Sequence, residues 1–272
     1  MSATVGIDVG STYTKAVVTD ETGAILGSTS LPTGYNFERA AERALTEAVE
    51  AADLSRDDVD YVAATGYGRH MVPFRDLAIT ELTCHARAAH GLFPDARTVL
   101  DVGGQTVKAI RMDGLGRVKA FRLNDKCSAG TGRFLGAASQ ALEIPLGELG
   151  PLALTAVDPV TMTTTCTVFA ESEILGWLAL GRKTEDVLKG VHMAIASRSL
   201  SLLRRVGMEP EITFTGGVAR NVAMVSLMEE LTGSVINFSE ESHFCGAIGA
   251  SLYALDRALV GAAADAEGGM TP

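Results

Sequence analysis

The chain reads as a mixed α/β protein of two similar halves, and three observations lead there. First, Asp8-Val9-Gly10-Ser11-Thr12-Tyr13-Thr14-Lys15-Ala16-Val17 returns as Asp101-Val102-Gly103-Gly104-Gln105-Thr106-Val107-Lys108-Ala109-Ile110, with Asp, Val, Gly, Lys and Ala at the same offsets. Second, an apolar run leads into each copy (Thr4-Val5-Gly6-Ile7; Thr98-Val99-Leu100). An alternating run, a turn (Thr19 to Gly23; Met112 to Gly116) and another apolar stretch follow, the pattern of three strands joined by two hairpin bends. Third, segments with helical spacing alternate with short apolar runs that end in glycine along the rest of the chain.

The first bend of each copy exposes backbone N–H groups, and glycine lets that backbone come close to an anion. Gly10, Ser11 and Thr12 in one copy and Gly103, Gly104 and Gln105 in the other are therefore candidate phosphate contacts, with Lys15 offsetting phosphate charge. An aspartate beside a phosphate repels it unless a cation lies between. Asp8 and Asp101 thus point to a divalent ion, Mg²⁺ with its waters. Two such loops facing each other hold one nucleoside triphosphate in a cleft. One Asp-X-Gly turn alone is common in plain hairpins; the second copy, with Lys at the same offset, is what favours phosphate binding.

At 272 residues the chain suits one large domain or two of ordinary size. A net charge of −10 without a Lys/Arg cluster argues against nucleic acid and anionic membranes. No apolar run reaches about 18 residues, so no membrane span is expected. Met1-Ser2-Ala3-Thr4 lacks the basic and apolar regions of a signal peptide. A cytoplasmic protein is expected, whose four cysteines form no structural disulfides.

In chain order, Glu38 to Ala52 carries apolar residues at helical spacing, and Asp60 to Ala64 reads as a short buried strand ending at Thr65-Gly66-Tyr67-Gly68-Arg69, either a connector or a lining of the cleft. Ile79 to Phe93 is a second helix; its Cys84 and His85 are adjacent and point apart, so Cys84 is assigned to core packing. Pro94-Asp95 marks a break, and the domain boundary is placed there, giving 1–95 and 96–247. After a strand from Arg117 to Leu123, the run Asn124-Asp125-Lys126-Cys127-Ser128-Ala129-Gly130-Thr131-Gly132-Arg133-Phe134 predicts a helix starting just after Cys127. Thr163-Thr164-Thr165-Cys166 precedes a helix running to about Leu180. Thr184 to Val206 is a long helix, and Glu211 to Thr215 a strand entering Gly216-Gly217, with a helix from Asn221 to Leu231. A strand–Gly-Gly–helix turn approaches a ligand closely, which makes Gly216, Gly217 and Asn221 candidate nucleotide contacts, a plain tight turn being the alternative. Cys245 reads as a buried thiol, Gly246 begins a small-residue helix, and the tail from Gly261 to Pro272 is expected to fray.

Cys127 and Cys166 both fall at expected helix N-termini, where a thiol pKa is lowered and a negative group is favoured. Buried thiols, a lone redox-active cysteine, and half of a four-thiolate iron–sulfur ligand set completed by a second chain all remain open from spacing alone.

The segments Asn124 to Phe134 and Cys166-Thr167-Val168-Phe169-Ala170-Glu171-Ser172-Glu173 resemble the signature segments of the activators of 2-hydroxyacyl-CoA dehydratases. The ATP-binding subunits of ATP-dependent benzoyl-CoA reductases are similar too. The likeness runs from about Val5 to Leu255 and includes Thr65 to Arg69 and Thr215 to Asn221. It implies two ribonuclease-H-like domains of the actin, sugar kinase and heat-shock chaperone type around an ATP cleft, the first completed by about 248–272. It further implies ATP/ADP with Mg²⁺, Gln105 orienting the attacking water, and one [4Fe–4S] cluster held by Cys127 and Cys166 of each of two chains, identical or paralogous. The family couples ATP hydrolysis to passing a single low-potential electron to an iron–sulfur partner enzyme, with reduced ferredoxin or flavodoxin as the implied donor. The sequence departs from the family at Thr106, where Asp is frequent; threonine suits a phosphate loop, so the departure bears on hydrolysis rather than binding. The rival reading, a small-molecule (amino-sugar) kinase of the same fold, has no use for Cys127 and Cys166.

Overall fold

The structure, a computed structural model, describes residues 3–124, 130–163 and 166–268, with backbone alone at 168 and 261–268. Its strands are Ala3–Val9 (β1), Tyr13–Thr19 (β2), Ile25–Pro32 (β3), Val59–Thr65 (β4), Leu77–Ala78 (β5), Thr98–Val102 (β6), Val107–Met112 (β7), Val118–Leu123 (β8), Ile212–Thr215 (β9) and Ile236–Asn237 (β10). They form two five-stranded sheets ordered β3-β2-β1-β4-β5 and β10-β9-β6-β7-β8, one topology built twice. The register repeats as well. Asp8 lies opposite Lys15 on antiparallel β2 and Thr65 on parallel β4, and Asp101 lies opposite Lys108 on β7 and Thr215 on β9.

The helices are Phe37–Ala51 (α1), Glu81–Leu92 (α2), Gly132–Leu142 (α3), Leu149–Leu154 (α4), Thr167–Ala179 (α5), Thr184–Val206 (α6), Val222–Thr232 (α7) and Cys245–Gly268 (α8). The chain divides into two compact units, Met1–Ala88 with Phe244–Pro272, and Ala89–His243.

In the first unit, α1 buries Ala40, Ala41, Ala44, Leu45, Ala48 and Val49 against the sheet, a stripe of helical period. On β1, α8 lies backbone to backbone: a Cβ built on Gly6 meets Ala247 O at 2.0 Å. Cys84 is wholly buried beside Ala63, Ala250 and Ala254, and burial pushes its thiol pKa up to about 12. In the second unit, Leu100, Phe134, Ile195, Leu203 and Phe214 are among the side chains that form one core from β6, α3, α6 and β9. No helix among the described residues is long and apolar enough to cross a membrane.

Two elements differ from the sequence expectation. Helix α3 begins at Gly132 with Thr131 as N-cap, not just after Cys127. Gly130, at φ +82°, sits in a backbone region closed to a regular right-handed helix, so the turn runs on to Thr131. Cys127 itself lies outside the described residues. At the other end α8 continues to Gly268, since alanines at 262, 263, 264 and 266 favour helix over a frayed tail.

A pair of substitutions tests the packing. Gly6→Ala sets a methyl against immovable backbone and is expected to cost about 3 kcal/mol. Gly136→Ala on α3 meets nothing within 4 Å and is expected to stabilise by up to about 1 kcal/mol. Urea unfolding midpoints of the full chain check both.

Candidate functional site

The β1–β2 turn is braced by threonines. Gly10 N–H donates to Tyr13 O at 3.1 Å, and Thr33 N–H donates to Thr12 O at 3.0 Å. The Thr33 hydroxyl donates to Gly10 O at 2.8 Å and lies 2.9 Å from the Thr14 hydroxyl. Asp8 is half-buried at the head of the turn, and its carboxylate is flanked by bare backbone. A Cβ on Gly66 comes within 2.4 Å of Oδ1, and one on Gly246 within 2.5 Å of Oδ2. The Thr12 hydroxyl oxygen is buried and makes no hydrogen bond among the described residues, which leaves it available to a ligand. Lys15 is half-buried and forms no ion pair with Asp8 among the described residues.

The second turn uses the same letters differently. Lys108 Nζ donates to Asp101 Oδ2 at 2.6 Å and to the Thr106 hydroxyl at 2.9 Å, with the two charged side chains only 4% and 3% exposed. Gly216, at φ +84°, brings its Cα side so near that a Cβ lies 2.4 Å from Asp101 Oδ1. Asp101 was expected to face a metal's water shell like Asp8. Here Lys108, directly across the ladder, pairs with it in a site nearly closed to water, and the pair braces the turn.

With its carboxamide turned so that the oxygen rather than the nitrogen faces Arg133 of α3, Gln105 accepts from Nε at 3.1 Å and from Nη2 at 2.8 Å. The start of α3 is sewn to the same turn: Gly132 N–H donates to Gly103 O and Arg133 N–H to Gly104 O, both at 2.9 Å. The Thr131 hydroxyl also donates to Gly104 O at 2.9 Å.

Sterics separate glycines that the fold requires from those it does not. A Cβ on Gly10 lies 2.6 Å from Tyr13 O, whereas one on Gly103 meets nothing closer than 3.5 Å and one on Gly217 nothing within 4 Å. Packing alone permits side chains at Gly103 and Gly217, and open backbone there suits close approach by an anion.

Asn221, expected at the nucleotide, is the N-cap of α7. Its Oδ1 accepts from Ala223 N–H and Met224 N–H at 3.1 Å, and Nδ2 lies 3.0 Å from His192 Nε2. The carboxamide is engaged inside the fold, where it anchors the start of α7. His192 is fully buried, with Nδ1 2.7 Å from Leu188 O, and burial lowers its pKa.

Cys166 is the N-cap of α5, half-buried and outside any disulfide. Glu173, one of the acids near the start of α5, accepts from Thr163 N–H at 2.7 Å and from its hydroxyl at 2.9 Å, so Thr163 is tied to that helix. Sequence reasoning missed Thr33, Thr131 and the contacts of Arg133. Only Arg133 carried a signal, as a cation just downstream of Cys127.

The doubled sheet with an acid at the end of each first strand defines the two-domain ribonuclease-H-like class that contains actin-like ATPases and sugar kinases. A glucokinase of the ROK family from Streptomyces griseus shares that fold alone, at a TM-score of 0.59 and 15% identity. The chain belongs to the BadF/BadG/BcrA/BcrD ATPase family, whose pattern matches residues 5–254. It is 41% identical over 255 residues to an activator of lactoyl-CoA dehydratase from Anaerotignum propionicum, covering 94% of this chain and 98% of the relative. Component A of (R)-2-hydroxyglutaryl-CoA dehydratase from Acidaminococcus fermentans superposes with a TM-score of 0.90 at 37% identity, over 95% of this chain and 100% of that one. The activator of 2-hydroxyisocaproyl-CoA dehydratase from Clostridium difficile, solved with bound ADPNP, also reaches 0.90, at 36% identity, over 99% of this chain and 98% of that one.

Two predictions follow from the buried polar groups. Lys108→Met strands the Asp101 carboxylate and is expected to cost about 3–5 kcal/mol, while Lys15→Met costs under about 1 kcal/mol; chemical denaturation measures both. The unfolded chain takes up a proton at His192 near pH 6.5 that the folded chain resists. That contribution to stability is full above this pH and is lost as pH falls below it. A Tm profile over pH is expected to decline there on acidification, and His192→Gln is expected to flatten that stretch.

Proposed function

We propose that this chain is an ATP-driven iron–sulfur activator that delivers a single low-potential electron to a partner enzyme acting on a CoA thioester. A 2-hydroxyacyl-CoA dehydratase is the favoured acceptor, because the relative and the two solved structures at 36–41% identity described above belong to 2-hydroxyacyl-CoA dehydratase systems. Cys166 carries the reading: an unpaired thiol stands at the head of α5, on the motif that the family likeness assigns to cluster ligation.

The residues present fit the groups this requires. For ATP, the turns offer backbone N–H groups at Ser11, Thr12 and Gly104, the Thr12 hydroxyl that makes no hydrogen bond among the described residues, and open backbone at Gly103 and Gly217. Asp8 is the carboxylate left to orient the waters of Mg²⁺, since Asp101 is committed to Lys108. Lys15 offsets phosphate charge. Gln105, with its carboxamide turned so that the oxygen meets Arg133, has N–H donors for the attacking water or the phosphate.

For the cluster, Cys127 and Cys166 supply two thiolates per chain, and a second chain, identical or paralogous, supplies the other two. Helix α5 supports that pairing: it is apolar, yet Phe169 and Leu175, with Leu180 just beyond its end, are 63%, 45% and 76% exposed. A [4Fe–4S] cluster bound there takes up and releases one electron at a time. The chain's own part is to hold the cluster through these two sulfurs and to let nucleotide state alter their surroundings. Reduced ferredoxin or flavodoxin is the proposed donor, and the cytoplasm the proposed location.

Anaerobic purification tests this. Brown protein with about two irons per chain, whose absorption bleaches in air, is expected. Cys127→Ala or Cys166→Ala is expected to abolish that absorption while ATP binding persists. Colourless protein that phosphorylates a sugar would contradict the proposal in favour of the kinase reading.

A further inference from the structure

Each strand-end acid is flanked by a glycine turn, and the two turns differ at one equivalent position. Thr65 lies opposite Asp8, and Thr215 lies opposite Asp101, in the same parallel register. The next residue, Gly66 or Gly216, has φ +87° or +84°, and a Cβ built there lies 2.4 Å from Oδ1 of its acid. Three residues further on, Arg69 N–H donates to Gly66 O at 3.4 Å, and Ala219 N–H donates to Gly216 O at 3.2 Å. Ala219 is small and buried; Arg69 is charged and half-buried.

This difference goes with the other asymmetry of the repeat. In the second unit the acid finds its cation on the neighbouring strand, Lys108 at 2.6 Å. In the first unit Lys15 makes no ion pair with Asp8 among the described residues, and the turn beside Asp8 carries Arg69 instead. That turn is fastened in place: Gly68 N–H donates to Val9 O at 2.8 Å, one residue before Gly10, and the Thr65 hydroxyl donates to Ile79 O at 2.9 Å. Arg69 Nη1 donates to Gly66 O at 3.1 Å. A guanidinium has five N–H donors, and among the described residues the others meet no acceptor and no carboxylate pairs with them. The Cys84 thiol, raised chiefly by burial, also feels Asp8, which raises its pKa, and Arg69, which lowers it, so both charges lie within electrostatic reach of one buried atom. A tethered fork with unused donors, beside a carboxylate without an ion pair, suits a phosphoryl group.

We propose that Arg69 is a further catalytic residue of ATP hydrolysis, its guanidinium donating to the terminal phosphoryl group held at the β1–β2 turn. The inference rests on the ATPase reading above. As the water oxygen bonds to the γ-phosphorus, the bond from that phosphorus to the bridging oxygen breaks. Its electron pair leaves with ADP, and a proton of the water passes to the released phosphate. Arg69 offsets the charge on the phosphoryl oxygens in between. ADP lacks that group, so Arg69 acts on turnover and not on ADP binding.

The test uses the full-length chain purified anaerobically, with Mg²⁺. ADP release gives kcat and KM for ATP, calorimetry gives ADP affinity, and thermal unfolding gives Tm. Arg69→Ala is expected to lower kcat by about a hundredfold or more, with Tm kept and ADP affinity within about threefold of the unaltered protein. Arg69→Lys keeps the charge without the fork and is expected to give an intermediate kcat. A structural role instead lowers Tm and weakens ADP binding together. That pattern, or Arg69→Ala with unaltered kcat, overturns the inference. If Arg69→Ala does not fold, Arg69→Lys decides: reduced kcat at unchanged ADP affinity supports the role, and unchanged kcat overturns it. Unaltered protein that binds no nucleotide, or binds ATP without turnover, overturns the ATPase reading and this role with it.

Discussion

The Asp101–Lys108 ion pair ties the second unit to its chemistry. Two opposite charges, each almost fully withdrawn from water, hold only if they meet at close range with their remaining hydrogen bonds satisfied. The ladder that places Lys108 across from Asp101 ensures this, and the Thr106 hydroxyl takes another Lys108 proton. Once the pair is made, the turn between β6 and β7 has a fixed shape, with the carbonyls of Gly103 and Gly104 aimed at the start of α3. Gly216 closes the other side, where any Cβ would strike the Asp101 carboxylate. The turn proposed to present backbone to an anion is thereby braced before a ligand arrives, which lowers the ordering cost of binding.

The first unit repeats the topology and breaks the electrostatic symmetry. Asp8 occupies the same register position, yet Lys15 does not close on it, and the carboxylate stays half-exposed between two glycine backbones. The repeated topology carries two acids in unequal surroundings: Asp101 is buried against Lys108, and Asp8 stays half-buried without an ion pair to Lys15 among the described residues. The threonine brace on the first turn and the α3 tether on the second show the same divergence. The first turn is held by the chain that leaves its own sheet, and the second by the chain returning from the cysteine segment.

Much of this was legible in the sequence, because Asp, Gly and Lys at repeated offsets encode a repeated hairpin and hydrophobic period encodes the elements around it. Thr184 to Val206 is a helix over the same residues in the structure, and β4 and β9 lead into glycine turns where the apolar runs end. Other features depend on neighbours far along the chain. Lys15 and Lys108 are equivalent letters, and only the surrounding fold decides that one is sealed into an ion pair. Asn221 looked like a ligand contact because it follows Gly-Gly, but a short polar side chain before a helix is at least as much a cap. The start of α3 was misplaced because the small residues from Ser128 to Gly132 carry no period, and Gly130 with positive φ prolongs the turn.

The account places a nucleotide on turns whose glycines do more than the fold asks of them, and Gly103 separates the two demands. Its Cβ site is free of close contacts, so Gly103→Ala leaves the hairpin intact while setting a methyl on the surface proposed to meet phosphate. The decisive measurement is calorimetric titration of Gly103→Ala with Mg²⁺–ADPNP, beside its thermal unfolding. An unchanged Tm with affinity reduced by about tenfold or more is the predicted result. Undiminished affinity in a stably folded variant would contradict the second turn's place in the nucleotide site.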